Sequence, residues 1–312
     1  MKKLSLFFGL VILMTSCDKM QTVIDIDLPP HDSKLVINSS NQLGKPFKVY
    51  ISHSLDPLSN DHFEFYSDAS VILFSNNVAI DTLVYIDSSY VYQSDVKAQM
   101  STSYSLQANH PKHSIVNSKS ISAPMPVEIL SAIHSINAAQ SVNLNSIEFA
   151  FDDPIGSNYY LLKLKAFYSY ENDLSETITE SYGLSFDSSD PSISNGSFEF
   201  DGEFSSKKVL FDDVLFDGQT KQLKLDYETY SHYDQDFRED SKIDSISVML
   251  FSVDYDYFQY HKTRILQNKT GGGAIFGTEP VNVYNSFAND DGTISAYGLF
   301  SMYSLDTMIV KP

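Results

Sequence analysis

Acidic pairs in this 312-residue chain, such as Asp152-Asp153, Asp212-Asp213 and Asp290-Asp291, could do chemistry by residue type alone. Two carboxylates held together can serve as general acid and base at a glycosidic bond, or as hard oxygen ligands for calcium. Each pair also borders a turn, where Asp is favoured because its side chain bonds nearby backbone groups. No pair stands out, and the turn reading takes precedence for all three. His110-Pro111-Lys112-His113 sets two imidazoles three residues apart, with no acid or thiol at metal-site spacing behind them. It reads as a solvated loop between strands. Gly271-Gly272-Gly273-Ala274-Ile275-Phe276-Gly277 has the glycine content of a phosphate loop, but Lys269 precedes the glycines instead of following them. Close backbone packing accounts for it better. No HExxH or GxSxG motif is present.

The remaining reactive group is the single cysteine, Cys17. Lys2-Lys3 supplies a positive start, Leu4 to Met14 is an apolar run, and Thr15-Ser16 are small. This is the layout of a secretory signal peptide, and the run is shorter than the roughly 20 residues needed to span a bilayer. Met14-Thr15-Ser16-Cys17 resembles a bacterial lipobox, with Met and Ser at positions where Leu and Gly or Ala are commoner. It predicts cleavage between Ser16 and Cys17 and lipid on the Cys17 sulfur, with palmitate-type chains holding the protein to a membrane. Each buried CH₂ contributes about 0.8 kcal/mol, and two chains make a stable anchor. A body without further cysteine suits an exported protein, since oxidising compartments pair free thiols.

Loss of residues 1–16, which hold two lysines and no acid, takes the net charge from −19 to −21. Such a surface disfavours nucleic acid and anionic lipid head groups. Abundant Tyr and Phe, with regularly spaced turn residues, point to antiparallel β-structure. About seven short strands are expected between Lys34 and Ile121, with Asn76-Asn77 as a tight hairpin turn. Longer strands follow, among them 145–153, 159–170, 221–230 and 242–253. Asn195-Gly196, Asp201-Gly202, Asp217-Gly218 and Asp291-Gly292 mark further turns. Pro124 and Pro126 stiffen the junction between the two sets. The expected organisation is a signal peptide at 1–16, a lipidated tether at 17–31 that includes the strand-like run VIDIDLPP, an immunoglobulin-like β-sandwich at 32–123 and a larger antiparallel β-sandwich at 124–312.

One α-helix is expected, near 254–268, with acids in its first turn and Lys262 and Arg264 near its end. Tyr255, Phe258 and Ile265 fall on one face, and Gly271 lies where a C-terminal cap belongs. Tyr255 and Tyr257, with Gly271, Gly272, Gly273 and Phe276, are the candidate contacts for a partner or ligand. No residue pattern calls for a cofactor or metal. Asp81-Thr82-Leu83, Asp244-Ser245-Ile246 and Asp306-Thr307-Met308 match a short envelope-protein O-glycosylation pattern that also recurs by chance.

A succession of stretches carries a family resemblance: "VIDIDLP" and "KLVIN", then "SAPMPVEIL", "FAFDDPIGSNYYLLKL", "LFDDVLFDGQTKQLKL", "FSVDYDYFQYHKTRILQN", "GGGAIFG" and "PVNVYNSF". Together they resemble the Bacteroidota lipoprotein family termed domain of unknown function forty-two forty-nine, over nearly the whole chain after Cys17. The resemblance implies an outer-membrane lipoprotein encoded beside a TonB-dependent receptor, and no established activity. The expected role is a non-catalytic accessory subunit of a TonB-dependent β-barrel transporter, anchored to outer-membrane lipid and facing the cell surface. The alternatives are an assembly or secretion subunit of an outer-membrane complex and, last, a surface glycan or peptide hydrolase.

Overall fold

Apolar alternation in strands such as LVINSSNQ and SYSLQAN dictates half-buried strands. The computed structural model describes residues 31–56, 62–136, 144–172, 174–194, 198–201, 207–228, 243–270, 281–289 and 291–312. The chain divides into a short unit, Met1–Asp32, and a larger one, Ser33–Pro312, and the architecture below is that of the larger unit. The elements of its first part are β1 (Leu35–Gln42), β2 (Pro46–His53), β3 (Ser70–Ser75), β4 (Val78–Thr82), β5 (Val84–Ile86), β6 (Val91–Lys97), β7 (Ser103–Asn109), β8 (Val116–Asn117) and β9 (Ile121–Ser122). There follow β10 (Ile129–Ile136), β11 (Leu144–Asp152), β12 (Tyr159–Glu171), β13 (Thr177–Leu184), a one-turn helix at Pro191–Ser194, β14 (Phe198–Asp201), β15 (Lys207–Asp212), β16 (Thr220–Glu228) and β17 (Ile243–Val253). Helix α1 (Tyr255–Thr270) and the last strand, β18 (Tyr297–Val310), complete the fold. Among the described residues it is mostly β with one helix of length, as the residue pattern predicts.

A ten-stranded sheet forms the spine, in the order β14-β15-β12-β17-β18-β1-β2-β6-β5, with β13 also on β12. Two smaller sheets, β10-β11-β16 and β4-β3-β7-β8 with β9 on β7, cover it. Each cover encloses a core. Ile147, Phe149, Leu223 and Leu225 pack with Leu162, Leu164, Val248 and Leu250 in one, while Val71, Leu73 and Leu106 pack with Ile37, Val49, Ile51 and Phe300 in the other. Pro124 and Pro126 lie between these cores: Ala123 belongs to the second cluster and Val127 to the first. The spine sheet itself runs through both.

Among the described strands one pairing lies outside the antiparallel pattern. β1 pairs in parallel with β18, Val36 opposite Tyr297 through Gln42 opposite Tyr303. Parallel neighbours need a long crossover, and here nearly the whole chain serves as one. At this seam Gly298 has φ +115°, and a Cβ there would sit 2.1 Å from the Ile37 carbonyl oxygen. Only glycine lets the strands approach so closely. The Asn76-Asn77 hairpin forms as expected, both residues at positive φ (48° and 66°), with Ser75 opposite Val78.

Candidate functional site

The outer face of the spine sheet carries helix α1. Period-two alternation sends Tyr160, Leu162 and Leu164 of β12 inward and turns Leu161 and Lys163 outward, where they join Phe251 and Val253 of β17 and Tyr303 of β18. Phe258 of α1 inserts beside Leu161, Leu210, Phe251 and Val253. Asp254 fixes the helix entry. Its carboxylate accepts the Tyr257 N–H at 2.8 Å as an N-cap and, through its other oxygen, the Met302 N–H of β18 at 2.6 Å. Burial opposes these hydrogen bonds and pushes Asp254 up to about 7. Further along, the Thr263 hydroxyl accepts the Tyr284 N–H at 2.7 Å, and the Tyr284 hydroxyl donates to Asp256 at 2.8 Å. The helix is thus tied to the sheet and to the segment behind it.

Between helix and sheet lies an open recess of about 200 Å³. Leu161, Phe251 and Val253 form its apolar floor, and Lys163, Tyr257, His261, Tyr303 and Ser40 supply polar atoms. Lys163 lies over the Phe251 ring, its ammonium 4.8 Å from the centroid. Desolvation, and after it the charge of Lys208, draws Lys163 down to about 8. The same desolvation, reinforced by Arg264, Lys208 and Lys163, draws His261 down to about 4, so its ring is neutral at pH 7. Burial pushes the Tyr257 and Tyr303 hydroxyls upward. No carboxylate lines the recess among the described residues. In a chain of net charge −19 this is a local inversion of sign.

The acidic pairs end in a different place. Asp153 and Asp213, from two separate pairs, come together with Asp217, one oxygen of each within 4.8 Å of the others. Their bonds are those of braced loops. Asp153 accepts the Tyr160 hydroxyl and the Gly218 N–H (2.9 Å), Asp213 accepts the Asn158 N–H (2.8 Å), and Asp217 accepts the Gly156 N–H (2.8 Å). Burial pushes Asp153 and Asp213 above the usual carboxylate range, against those hydrogen bonds. The three oxygens are the donor set with which the described residues could hold a hard cation. They also lock two loops whose Ile155, Val214 and Leu215 are exposed. Asp152 binds the Thr220 hydroxyl and Asp291 caps its own turn through the Thr293 N–H, both local uses; Asp290 lies outside the described residues.

The expectation of a solvated His110–His113 loop is corrected. His110 is 2 % exposed and stacks on Tyr66 at 3.8 Å, with its Nε2 3.1 Å from Asp68. His53 and His113 flank the same ring at 5.2 and 5.6 Å. Tyr66 is brought to them by its backbone bond to Ile51, a contact that local spacing does not reveal.

A second surface feature is a run of exposed rings. Phe65 of the short bridge to Ser52 touches Phe63 (4.8 Å between centroids), Tyr90 (5.7 Å, stacked) and Tyr50 of β2 (6.1 Å). All four are counted among the exposed large side chains, Phe63 at 57 % and Tyr90 at 56 %. Tyr90 adopts φ +54°, ψ +34° at the end of a 3₁₀ turn, Asp87–Ser89, a left-handed conformation costly for a bulky residue. In this conformation its ring stacks on Phe65 and stands more than half exposed.

Of the residues singled out in the sequence, Tyr257 enters the recess. Tyr255, expected on the buried helix face, is instead half exposed, because in the first turn it meets only the edges of Tyr159 and Tyr284. Phe258 and Ile265 are buried as expected. Cys17, Ser16, the run VIDIDLPP, Gly271, Gly272, Gly273, Phe276, and the turns at Asn195-Gly196 and Gly202 lie outside the described residues. Lys163 and His261 are absent from the sequence reading. The one available signal was a lysine alternating with Leu161 on a strand whose other face is wholly apolar.

No curated protein matches the chain. The family model described as "Domain of unknown function (DUF4249)" matches residues 21–308, nearly the full length, and the chain belongs to that family.

Proposed function

We propose that this protein is a non-catalytic, lipid-anchored subunit of the outer membrane that binds a TonB-dependent β-barrel transporter and assists cargo capture there. The anchor is the Cys17 thioether expected from Met14-Thr15-Ser16-Cys17. The observation that carries the binding role is the contiguous exposed patch of Tyr50, Phe63, Phe65 and Tyr90. Aromatic side chains bury large area at small entropic cost and dominate interface energetics. Keeping such rings in water, one on a strained backbone, is unfavourable for an isolated molecule, and a partner surface removes that cost. The use of Asp153, Asp213 and Asp217 as loop braces also favours binding over hydrolysis.

The test is an affinity purification of C-terminally tagged protein from outer membranes in mild detergent, beside the Phe65→Ser variant. A stoichiometric TonB-dependent barrel with the parent, reduced about tenfold or more with the variant, is the expected result. Equal recovery with both proteins would remove the aromatic patch from the interface. Assembly or secretion components in place of the transporter would replace the reading by that of an assembly subunit.

A further inference from the structure

We infer that the recess beneath α1 binds a small organic carboxylate, its anionic group seated between Lys163, Tyr257 and Tyr303 and its apolar body against Leu161, Phe251 and Val253. This reading is independent of the transporter proposal.

Three observations carry it. First, Lys163 sits among protein groups without an anion: among the described residues its only close partner is the Phe251 ring, 4.8 Å away. An ammonium removed from water and left unpaired is unfavourable, and interiors pair such groups as a rule. Second, the Tyr257 and Tyr303 hydroxyls line the same recess and have no hydrogen-bond partner among the described residues. Hydroxyl donors around a cation form a built receptor for an oxyanion. Third, among the described residues the charges acting at this point from β12, β15 and α1 are of one sign or neutral. Lys163 comes from β12, Lys208 from β15, and His261 and Arg264 from α1, while Tyr303 of β18 is neutral. Asp254, the N-cap residue before α1, is committed to the N–H groups of Tyr257 and Met302, and Asp256 of α1 accepts the Tyr284 hydroxyl.

The floor decides the class of anion. Leu161, Phe251 and Val253 offer no donor, so a phosphate dianion would lose hydration on that side with nothing in return. A carboxylate carrying a compact hydrocarbon or aromatic group satisfies both halves, and about 200 Å³ of open space suits such a molecule. The lowered basicity of Lys163 sharpens the design: an arriving carboxylate restores its proton affinity, so binding weakens as pH rises above about 8.

The test is isothermal titration calorimetry of the full-length lipidated protein in detergent, with benzoate, benzamide and inorganic phosphate as probes. Benzoate is expected to bind at one site, and benzamide about tenfold or more weaker, since it lacks the charge. Lys163→Met is expected to lose about tenfold or more of the benzoate affinity and Lys163→Arg to retain most of it. For the parent protein, affinity is expected to fall between about pH 7 and about pH 10 as the ammonium deprotonates. Should Lys163→Met fail to fold, Tyr303→Phe and this pH profile still report on the site. Phosphate binding without benzoate binding, equal affinities for benzoate and benzamide, or no heat with any probe would each overturn the inference.

Discussion

Replacing Lys163 by methionine is expected to make the unliganded protein more stable, and the size of the gain follows from the recess. Burial, aided by Lys208, moves the Lys163 equilibrium from 10.5 to about 8. Each tenfold change in a protonation equilibrium is worth about 1.4 kcal/mol, so the charged form is disfavoured by about 3 kcal/mol before screening. The recess is open to water, and halving that figure to about 1.5 kcal/mol allows for solvent screening. Methionine has a similar length, fills the space over Phe251 and carries no charge. The sign with pH is definite. The unfolded lysine keeps its proton to about pH 10.5 while the folded one releases it near 8, so parent stability rises across that window as the folded ammonium is relieved of its proton. The advantage of the variant therefore shrinks from about 1.5 kcal/mol at pH 7 towards zero above about pH 10. Urea unfolding followed by circular dichroism at the two pH values measures it. A variant less stable than the parent at pH 7, or a difference that does not change with pH, would refute the account of Lys163 as an unpaired, partly desolvated cation. A lysine that weakens the fold is the signature of a residue kept for a ligand.

Gly298→Ala is expected to cost about 3 kcal/mol or more, since the new Cβ meets the Ile37 carbonyl and φ is +115°; a lowered urea midpoint and lost amide protection in β1 would report it. Tyr160→Phe removes the O–H donor from Asp153, leaves that buried carboxylate short of a partner and should destabilise by about 2 kcal/mol, again read from urea unfolding. Asp254 supplies a pH effect of the opposite kind to Lys163. Its folded equilibrium is raised to about 7, so its contribution is full below the unfolded value near 4 and lost as pH rises through about 7. Melting temperatures of the parent should accordingly show a downward component between about pH 4 and about pH 7 that the Asp254→Asn variant lacks.

Much of the architecture was legible before any coordinates. Alternation in LVINSS, SVILFS and YYLLKLKAF determined the strands and which residues face inward, because a strand's side chains have a period of two. Charge order across DYDYFQYHKTRILQN determined the helix, found at Tyr255–Thr270. Asn76-Asn77 determined its hairpin through its tolerance of positive φ. Met14-Thr15-Ser16-Cys17 raises the lipid expectation by itself, since that chemistry is read from a short local segment.

The tertiary structure decided what joins distant segments. The β1–β18 seam brings residue 36 beside residue 297, and no local pattern encodes a pairing across so long a stretch. The same is true of Asp153 with Asp213 and Asp217, which read as separate turns until the two loops close on one another. Tyr66 reaches its three histidines only through its bridge to β2. Lys163 is the sharpest case. Alternation determined that it leaves the core side of β12, which by itself means solvent; the helix that follows β17 returns over that face and turns a surface lysine into the half-buried cation of a recess. Local sequence sets which way a side chain points, and only the packing of remote elements sets what it meets there.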